Sequence, residues 1–284
     1  MSIQDQIKTD NLDNLSNVDE LDIYLYIQSN LRYILGFIIL MNFVIIFLMK
    51  LGIRAKTKLE LIINENKNKE VLIIIAHPDD ESMFFSPTLK NLLSQKLSIS
   101  LLCLSNGDFY KQGKTREKEL SKLAEKLDLK TVEILEDVKL QDNINKYWDS
   151  DYVGLEITEY FKRDDAFKRF GTIFTFDQKG VSGHPNHIST CNGVITFLRN
   201  NKQTIIDNKI NTYILDTFPW IMQYTFVFPL IGFYFKDYGF INKNAFYTYG
   251  LMKIHQTQFN LMRKIHTIIS SYTYFNTYTK IEFS

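Results

Sequence analysis

Residues 71–76, VLIIIA, are consecutively apolar and stop at His77-Pro78-Asp79-Asp80-Glu81. An unbroken oily run without alternation predicts a strand buried on both faces, as in a parallel sheet covered by helices. Ser86-Pro87 then predicts a helix start, with the helix running to about Lys96. Ile99 to Leu104 reads as a second buried strand, ending in the turn-rich Ser105-Asn106-Gly107-Asp108. Thr115 is placed to cap a helix whose first turn holds Glu117 and Glu119, and Leu120, Leu123, Ala124 and Leu127 recur at helical spacing. Thr131 to Leu135 predicts a third strand, residues 152–167 a helix, and Thr172 to Phe176 a fourth strand. A loop at 177–183 precedes a helix from His184 to about Asn200. This alternation predicts an α/β fold, a Rossmann-like doubly wound and mostly parallel sheet, with its ligand crevice at the carboxyl ends of the strands.

Outside that alternation the pattern changes. Residues 1–30 are polar and acid-rich, and Leu31 to Met49 is then apolar but for Arg32 and Asn42. At the helical rise this run spans roughly 28 Å, the thickness of a bilayer's hydrocarbon core. A cleaved signal peptide would start nearer the N-terminus with a basic region; a buried core helix is the alternative, but so long an apolar run favours a transmembrane helix. Lys50, Arg54, Lys56 and Lys58 crowd its C-terminal flank, which places the remainder of the chain in the cytosol. A second run, Phe218 to Phe235, is uncharged and aromatic, with Pro219 and Pro229 inside it. Three readings compete for it: a second span, which the prolines disfavour, a patch lying in the interface, which Trp220, Tyr224 and Tyr234 favour, and a segment of an ordinary soluble core.

Charge and cysteine content narrow the partners. A formal net charge of +1 gives no field that would gather nucleic acid. The two cysteines, Cys103 and Cys191, are far apart and form no C-x-x-C, so neither a disulfide framework nor a thiolate metal site is expected. A small buried thiol is the ordinary fate of each.

Of five histidines, three fall in loops that follow predicted strands: His77-x-x-Asp80 and His184-x-x-His187. Either motif alone is weak, since polar surface loops produce such spacings freely. Placed together above one sheet, two imidazoles and a carboxylate would leave a tetrahedral zinc a free fourth position, the arrangement of a hydrolytic site. Asp79 is placed to act as general base on a metal-activated water. Glu81 could join it, although pinning the adjacent helix is the simpler role. Asp108 and Asp177 read as turn residues, His255 and His266 as surface or interfacial positions, and Arg116 as either solvated or anion-binding.

Ala76-His-Pro-Asp-Asp-Glu81, the stretch TFDxxGVSGHxNH over 175–187 and GxxRxxE over 113–119 together resemble the zinc-dependent de-N-acetylases of the PIG-L/LmbE family. The resemblance covers roughly 70–216 and is most specific at the two histidine motifs. It is closest to the family's eukaryotic branch, through the N-terminal apolar run, the VSGHxNH form and a C-terminal His255-x-x-Gln258 followed by Arg263. Bacterial members often carry Asp where this chain has Asn186. The resemblance implies His77, Asp80 and His187 as ligands of Zn2+ or another divalent metal, with Asp79 as base. It implies His184 as the residue that steadies the intermediate and helps protonate the amine, and Arg116, Asp142 and His255 as substrate contacts. It further implies deacetylation of N-acetylglucosaminyl-phosphatidylinositol in GPI-anchor biosynthesis, at the endoplasmic reticulum membrane, with a glycolipid and the bilayer as partners. Another N-acetylglucosaminyl conjugate, or a non-catalytic scaffold, are the alternatives; a scaffold should have lost a ligand or the base, and none is lost. These readings divide the chain into a tail expected to be disordered (1–30), a transmembrane helix (31–49), a basic linker (50–69), the deacetylase domain (70–216), and an aromatic membrane-associated segment with a C-terminal helix (217–284).

Overall fold

The computed structural model describes residues 20–50, 59–66, 68–163, 165–225, 233 and 236–282. The chain divides into two compact units, Met1–Ile53 and Arg54–Ser284. The described part of the first is one 31-residue helix, Glu20–Lys50. It contains the apolar run 31–49 and begins eleven residues earlier than expected, since 20–30 hold no glycine or proline to stop a helix. Residues 1–19 of the expected tail lie outside the described residues. Among the described residues no helix is long and apolar enough to cross a membrane.

The second unit is built on a seven-stranded sheet of order β3-β2-β1-β4-β5-β7-β6. The strands are β1 Glu70–Ile75, β2 Ile99–Cys103, β3 Thr131–Ile134, β4 Phe170–Phe176, β5 Asn211–Leu215, β6 Tyr238–Ile241 and β7 Phe275–Ile281. β1 pairs in parallel with β2 on one side and β4 on the other, and the parallel ladder continues to β3 and β5. Val71 to Ile75 are wholly buried, as expected for a central strand covered on both faces.

The expected boundary after residue 216 does not divide the sheet. β7 adds antiparallel to β5, and β6 adds antiparallel to β7, so the C-terminal segment completes the same sheet. The polar interior of β7 hid it from the apolar pattern: Asn276 accepts from the Thr88 backbone and hydroxyl and donates to the Phe84 carbonyl. Of the aromatic run 218–235, residues 226–232, 234 and 235 lie outside the described residues.

Helix boundaries shift modestly from those expected. The helix Gly113–Leu127 opens two residues before Thr115, because the Asp108 carboxylate accepts the Gly113 N–H at 2.6 Å and holds its first turn. The expected helix 152–167 is Ser150–Lys162 followed by a separate turn, Ala166–Arg169. The helix Pro185–Asn200 carries His187 and packs tightly on Ser150–Lys162, where Gly154 meets Gly193. A Cβ on Gly193 would stand 2.1 Å from Val153 Cγ1. Valine is stiff at χ1 and cannot swing away, so the two backbones must separate instead. Gly193→Ala is expected to cost about 2 kcal/mol net of Ala's helix propensity, a fall of roughly 4–8 °C in the unfolding midpoint. Adding Val153→Ala should recover more than Val153→Ala alone predicts; strict additivity in thermal melts would show that this contact is not the constraint.

Candidate active site

Two loops at the carboxyl ends of the adjacent parallel strands β1 and β4 carry the histidine motifs, so pairing of the strands brings the motifs together. After β1 the chain turns sharply into the short helix Asp80–Met83, with Asp79 at φ 118°, a left-handed conformation that non-glycine residues adopt rarely. The turn aims the three adjacent carboxylates in different directions.

Asp80 turns back on its own loop. Its Oδ2 accepts backbone N–H groups from Ala76 at 3.1 Å and His77 at 2.8 Å, and its Oδ1 lies 3.2 Å from His187 Nε2. Burial alone would raise its pKa, but the His187 charge and hydrogen bond, with further help from His77, hold it well below the usual carboxylate range. His187 is fixed from behind. Its ring stacks on Phe176 at 4.2 Å, and Nδ1 lies 3.1 Å from the Gly180 carbonyl. A carbonyl only accepts, so Nδ1 bears a proton and Nε2 faces Asp80. Gly180, at φ +64°, makes this approach possible: a Cβ there would stand 3.0 Å from the His187 Cβ.

The same accounting orients His77 and His184. Asn186 donates its amide to the Lys146 carbonyl at 3.0 Å, while its Oδ1 accepts from the Asn143 N–H at 3.1 Å. Its Oδ1 therefore faces His77 Nε2 at 3.0 Å as an acceptor, which puts the His77 proton on Nε2 and leaves Nδ1 unprotonated, 3.7 Å from Asp80 Oδ2. His184 caps the helix Pro185–Asn200, its Nδ1 accepting the Asn186 N–H at 3.2 Å. Its remaining nitrogen, Nε2, carries the proton. Burial and the nearby His187 and His77 rings push His184 down to about 4, and burial pushes His77 to about 3, so both are neutral near pH 7.

This donor set fits a metal ion. Ring nitrogens of His77, His184 and His187 all lie within 4.8 Å of one another, and two of the three have Asp80 beside them. A deprotonated Nε2 and a carboxylate oxygen 3.2 Å apart repel unless a proton or cation lies between them. That spacing is also close to the ligand-to-ligand distance of about 3.3 Å around a tetrahedral ion with bonds near 2.0–2.1 Å.

Asp79 is wholly enclosed. Arg116 Nη2 donates to its Oδ1 at 3.2 Å, Arg263 to its Oδ2, and its backbone N–H to Glu81 Oε2 at 3.0 Å. Burial raises its pKa, and the Arg263 and Arg116 guanidinium groups oppose that rise. Arg116 also bonds the carbonyls of Pro78 and Gly107 and reaches Asp142 at 3.4 Å, so it is a buried brace rather than a solvated cation. Asp142 in turn lies 3.3 Å from His77 Nε2 and 3.9 Å from His184 Nε2. Burial raises the Asp142 pKa against the pull of Arg116 and His184.

His255, expected as a surface residue or a substrate contact, is neither. It is completely buried, with Nε2 2.7 Å from Glu81 Oε1, and it does not line the crevice. Burial would lower its pKa, yet Glu81 outweighs that and raises it. The pair sits behind Asp79, with Ser82 also donating to Glu81, so Glu81 is a structural pin. Asp177 is a turn residue, accepting from the N–H groups of Lys179, Gly180 and Thr217, and Cys103 and Cys191 are buried thiols. His266, also expected at the surface, is half-buried in the crevice wall, where burial holds it at about 4.

The site residues other than His255 line one crevice of about 620 Å³, within the range of small-molecule sites. Its walls include residues that the motifs did not indicate: Phe109, Tyr110, Ile144, Tyr224, Met262 and Ile265. The signal for the last two was the amphipathic period of residues 261–269, which is visible in the sequence but silent about which way its faces point.

Residues 72–198, a stretch that contains both histidine motifs and Asp142, match the family model described as PIG-L: GlcNAc-PI de-N-acetylase. The chain is 38% identical to the probable N-acetylglucosaminyl-phosphatidylinositol de-N-acetylase of Schizosaccharomyces pombe, over 55% of this chain and 65% of the relative. It is 32% identical to the probable enzyme of that name from Dictyostelium discoideum, over 75% of this chain and 94% of the relative. With the enzyme of Bos taurus it shares 36% identity over 42% of this chain, spanning 46% of that relative's length. The fold is similar to that of N,N'-diacetylchitobiose deacetylase from Pyrococcus horikoshii, with a TM-score of 0.52 at 16% identity, covering 77% of this chain and 86% of the other. A deacetylase of the teicoplanin biosynthetic pathway gives 0.51 at 11% identity over 76% and 100%. A relative matched along nearly its whole length, and a family model laid across both histidine loops, lead to one conclusion: the chain belongs to the PIG-L family.

Proposed function

We propose that the chain removes the N-acetyl group from N-acetylglucosaminyl-phosphatidylinositol, yielding acetate and glucosaminyl-phosphatidylinositol in GPI-anchor biosynthesis. The observation that carries this reading is the enclosed carboxylate Asp79, held by two arginines beside the convergent set His77, Asp80 and His187. In this reading those three residues hold Zn2+ or another divalent metal. When bound, such an ion polarises the acetyl oxygen and acidifies a water. Asp79 accepts the proton of the attacking water and delivers it to the departing amine, which balances the hydrolysis. Arg116 and Arg263 draw Asp79 toward its ionised form and fix its direction. His184, neutral with its proton on Nε2, donates a hydrogen bond to the oxygen that gains charge; it need not be a cation to do so. Asp142, on the crevice wall beside His77 and His184, accepts from sugar hydroxyls, while Arg116 braces Asp142 and Asp79 from behind.

The apolar run 31–49 serves as a single-pass anchor in the endoplasmic reticulum membrane, with the catalytic unit cytosolic. Support comes from its basic C-terminal flank and from the exposure of Tyr33, Phe37, Ile39 and Phe43 on the helix Glu20–Lys50. A substrate whose acyl chains stay in a leaflet calls for an enzyme held at that leaflet. Glycolipid and bilayer are thus its partners.

Acetate release from the acetylated glycolipid by detergent-solubilised protein checks the chemistry. Chelator should abolish it and Zn2+ restore it, while Asp79→Ala should lose roughly a hundredfold or more. Full activity in Asp79→Ala, or in metal-free protein, would overturn this mechanism. Metal content separates ligands from neighbours: His187→Ala should lose the ion, whereas His184→Ala should keep it and lose roughly 10²–10³ in kcat. Loss of metal in His184→Ala would make His184 a ligand. His255→Phe leaves Glu81 buried without its cation and should destabilise the fold by about 3–5 kcal/mol, read in denaturant melts. An unchanged midpoint would show that the pair is not the pin described.

A further inference from the structure

The helix Leu261–Ile269 is oriented opposite to an ordinary surface helix. Its inward face carries Arg263, which reaches Asp79, together with half-buried His266 and buried Thr267. Its outward face carries Leu261 and Met262, 70% and 74% exposed, and Ile265 and Ile268. A helix that packs only on its own protein buries its apolar stripe. This one displays it, and the display continues around the crevice. Phe109, Tyr110, Ile144 and Tyr224 are exposed and, like Met262 and Ile265, line the same opening. Trp220, 75% exposed, stands on the short helix that leads into Tyr224.

We propose that this ring of exposed apolar side chains, drawn from four separate segments around the catalytic crevice, docks into a lipid leaflet containing anionic phospholipid. The inference rests on the phospholipid substrate proposed above and adds the surface that meets it. Two features select a leaflet over a protein partner. Exposed Lys111 adjoins Tyr110 and exposed Lys264 adjoins Ile265, so aromatic and aliphatic groups alternate with basic ones, the composition that settles at anionic headgroup depth. A protein seated on the ring would also seal the crevice, whereas a leaflet seated there presents headgroups to Arg263 and the histidines inside it. The apolar faces lie in the acyl region, and the substrate's sugar enters without its chains leaving the bilayer.

The chain's two tryptophans provide the test, since Trp148 is buried and Trp220 is exposed on the short helix next to Tyr224 of the ring. The full chain is reconstituted in vesicles of phosphatidylcholine and phosphatidylinositol, with and without brominated acyl chains. Bromine should quench Trp220 emission and leave Trp148 untouched, so that Trp220→Phe removes the quenching. Leu261→Glu combined with Ile268→Glu alters the outward face at positions that do not line the crevice. Removing two apolar side chains from the leaflet should weaken Trp220 quenching and slow hydrolysis of the vesicle-borne glycolipid roughly tenfold or more. Hydrolysis of a water-soluble analogue without acyl chains should change less than twofold, which also shows that the variant folds. Unquenched Trp220 in the wild-type chain, or equal loss on both substrates, overturns the docking surface. Cross-linking of the ring to residues 20–50 in place of quenching also overturns it, because the chain's own apolar helix would then be the cover. If the wild-type chain hydrolyses neither substrate while Trp220 is quenched, the deacetylation reading fails and the docking surface stands.

Discussion

Asp79, Asp80 and Glu81 are consecutive carboxylates, all nearly inaccessible to water at the end of the central strand. Negative charges so close together in a dry interior repel strongly, and burying even one unpaired carboxylate is costly. The rest of the second unit is arranged to answer that constraint. Asp80 is met by His187 and two backbone amides of its own loop, Asp79 by Arg116 and Arg263, and Glu81 by His255. The four side-chain partners come from three distant parts of the chain: His187 from the helix Pro185–Asn200, Arg116 from the helix Gly113–Leu127, and both Arg263 and His255 from the C-terminal segment. The acids therefore act as a registration device. Misplacing any of these segments would strand a buried charge, which ties correct folding to correct assembly of the site.

The constraint also explains why the C-terminal segment cannot be an appendage. Besides His255 and Arg263, Thr257 donates through its backbone and hydroxyl to Glu119 on the helix Gly113–Leu127. β7 completes the sheet beside β5, and Asn276 reaches back to the Phe84 carbonyl immediately after the acid cluster. Polar ties and sheet pairing thus close the same loop from two sides. The strained φ of Asp79 persists because the Glu81 carboxylate, itself fixed by His255 and Ser82, holds the Asp79 backbone amide.

What was legible in the sequence follows from the same physics. β1, β2 and β4 announce themselves because central parallel strands are apolar on both faces, and both histidine motifs stand out because they interrupt that pattern abruptly. β7 was not legible, since its interior positions are asparagine and threonine satisfied by partners nearly two hundred residues away. His255 was misjudged for a related reason: a histidine in a polar, basic stretch looks solvated until its buried partner Glu81 is known. The helix Leu261–Ile269 is amphipathic, but periodicity has no sign. Only the contact of Arg263 with Asp79 establishes which face points inward.

That orientation joins the two halves of the crevice into one physical gradient. Its floor is a desolvated network of ions and neutral imidazoles, and its mouth is aromatic and aliphatic. An open mouth leaves the Arg263 to Asp79 pair partly within reach of water, with Arg263 about a third exposed. Covering the mouth with an apolar phase would lower the effective dielectric there and strengthen every interaction on the floor. Arg263 belongs to both regions, since its helix displays the apolar face while its guanidinium grips the Asp79 carboxylate. A contact that shifts this helix therefore acts on the Arg263–Asp79 pair, which couples the mouth of the crevice to its floor.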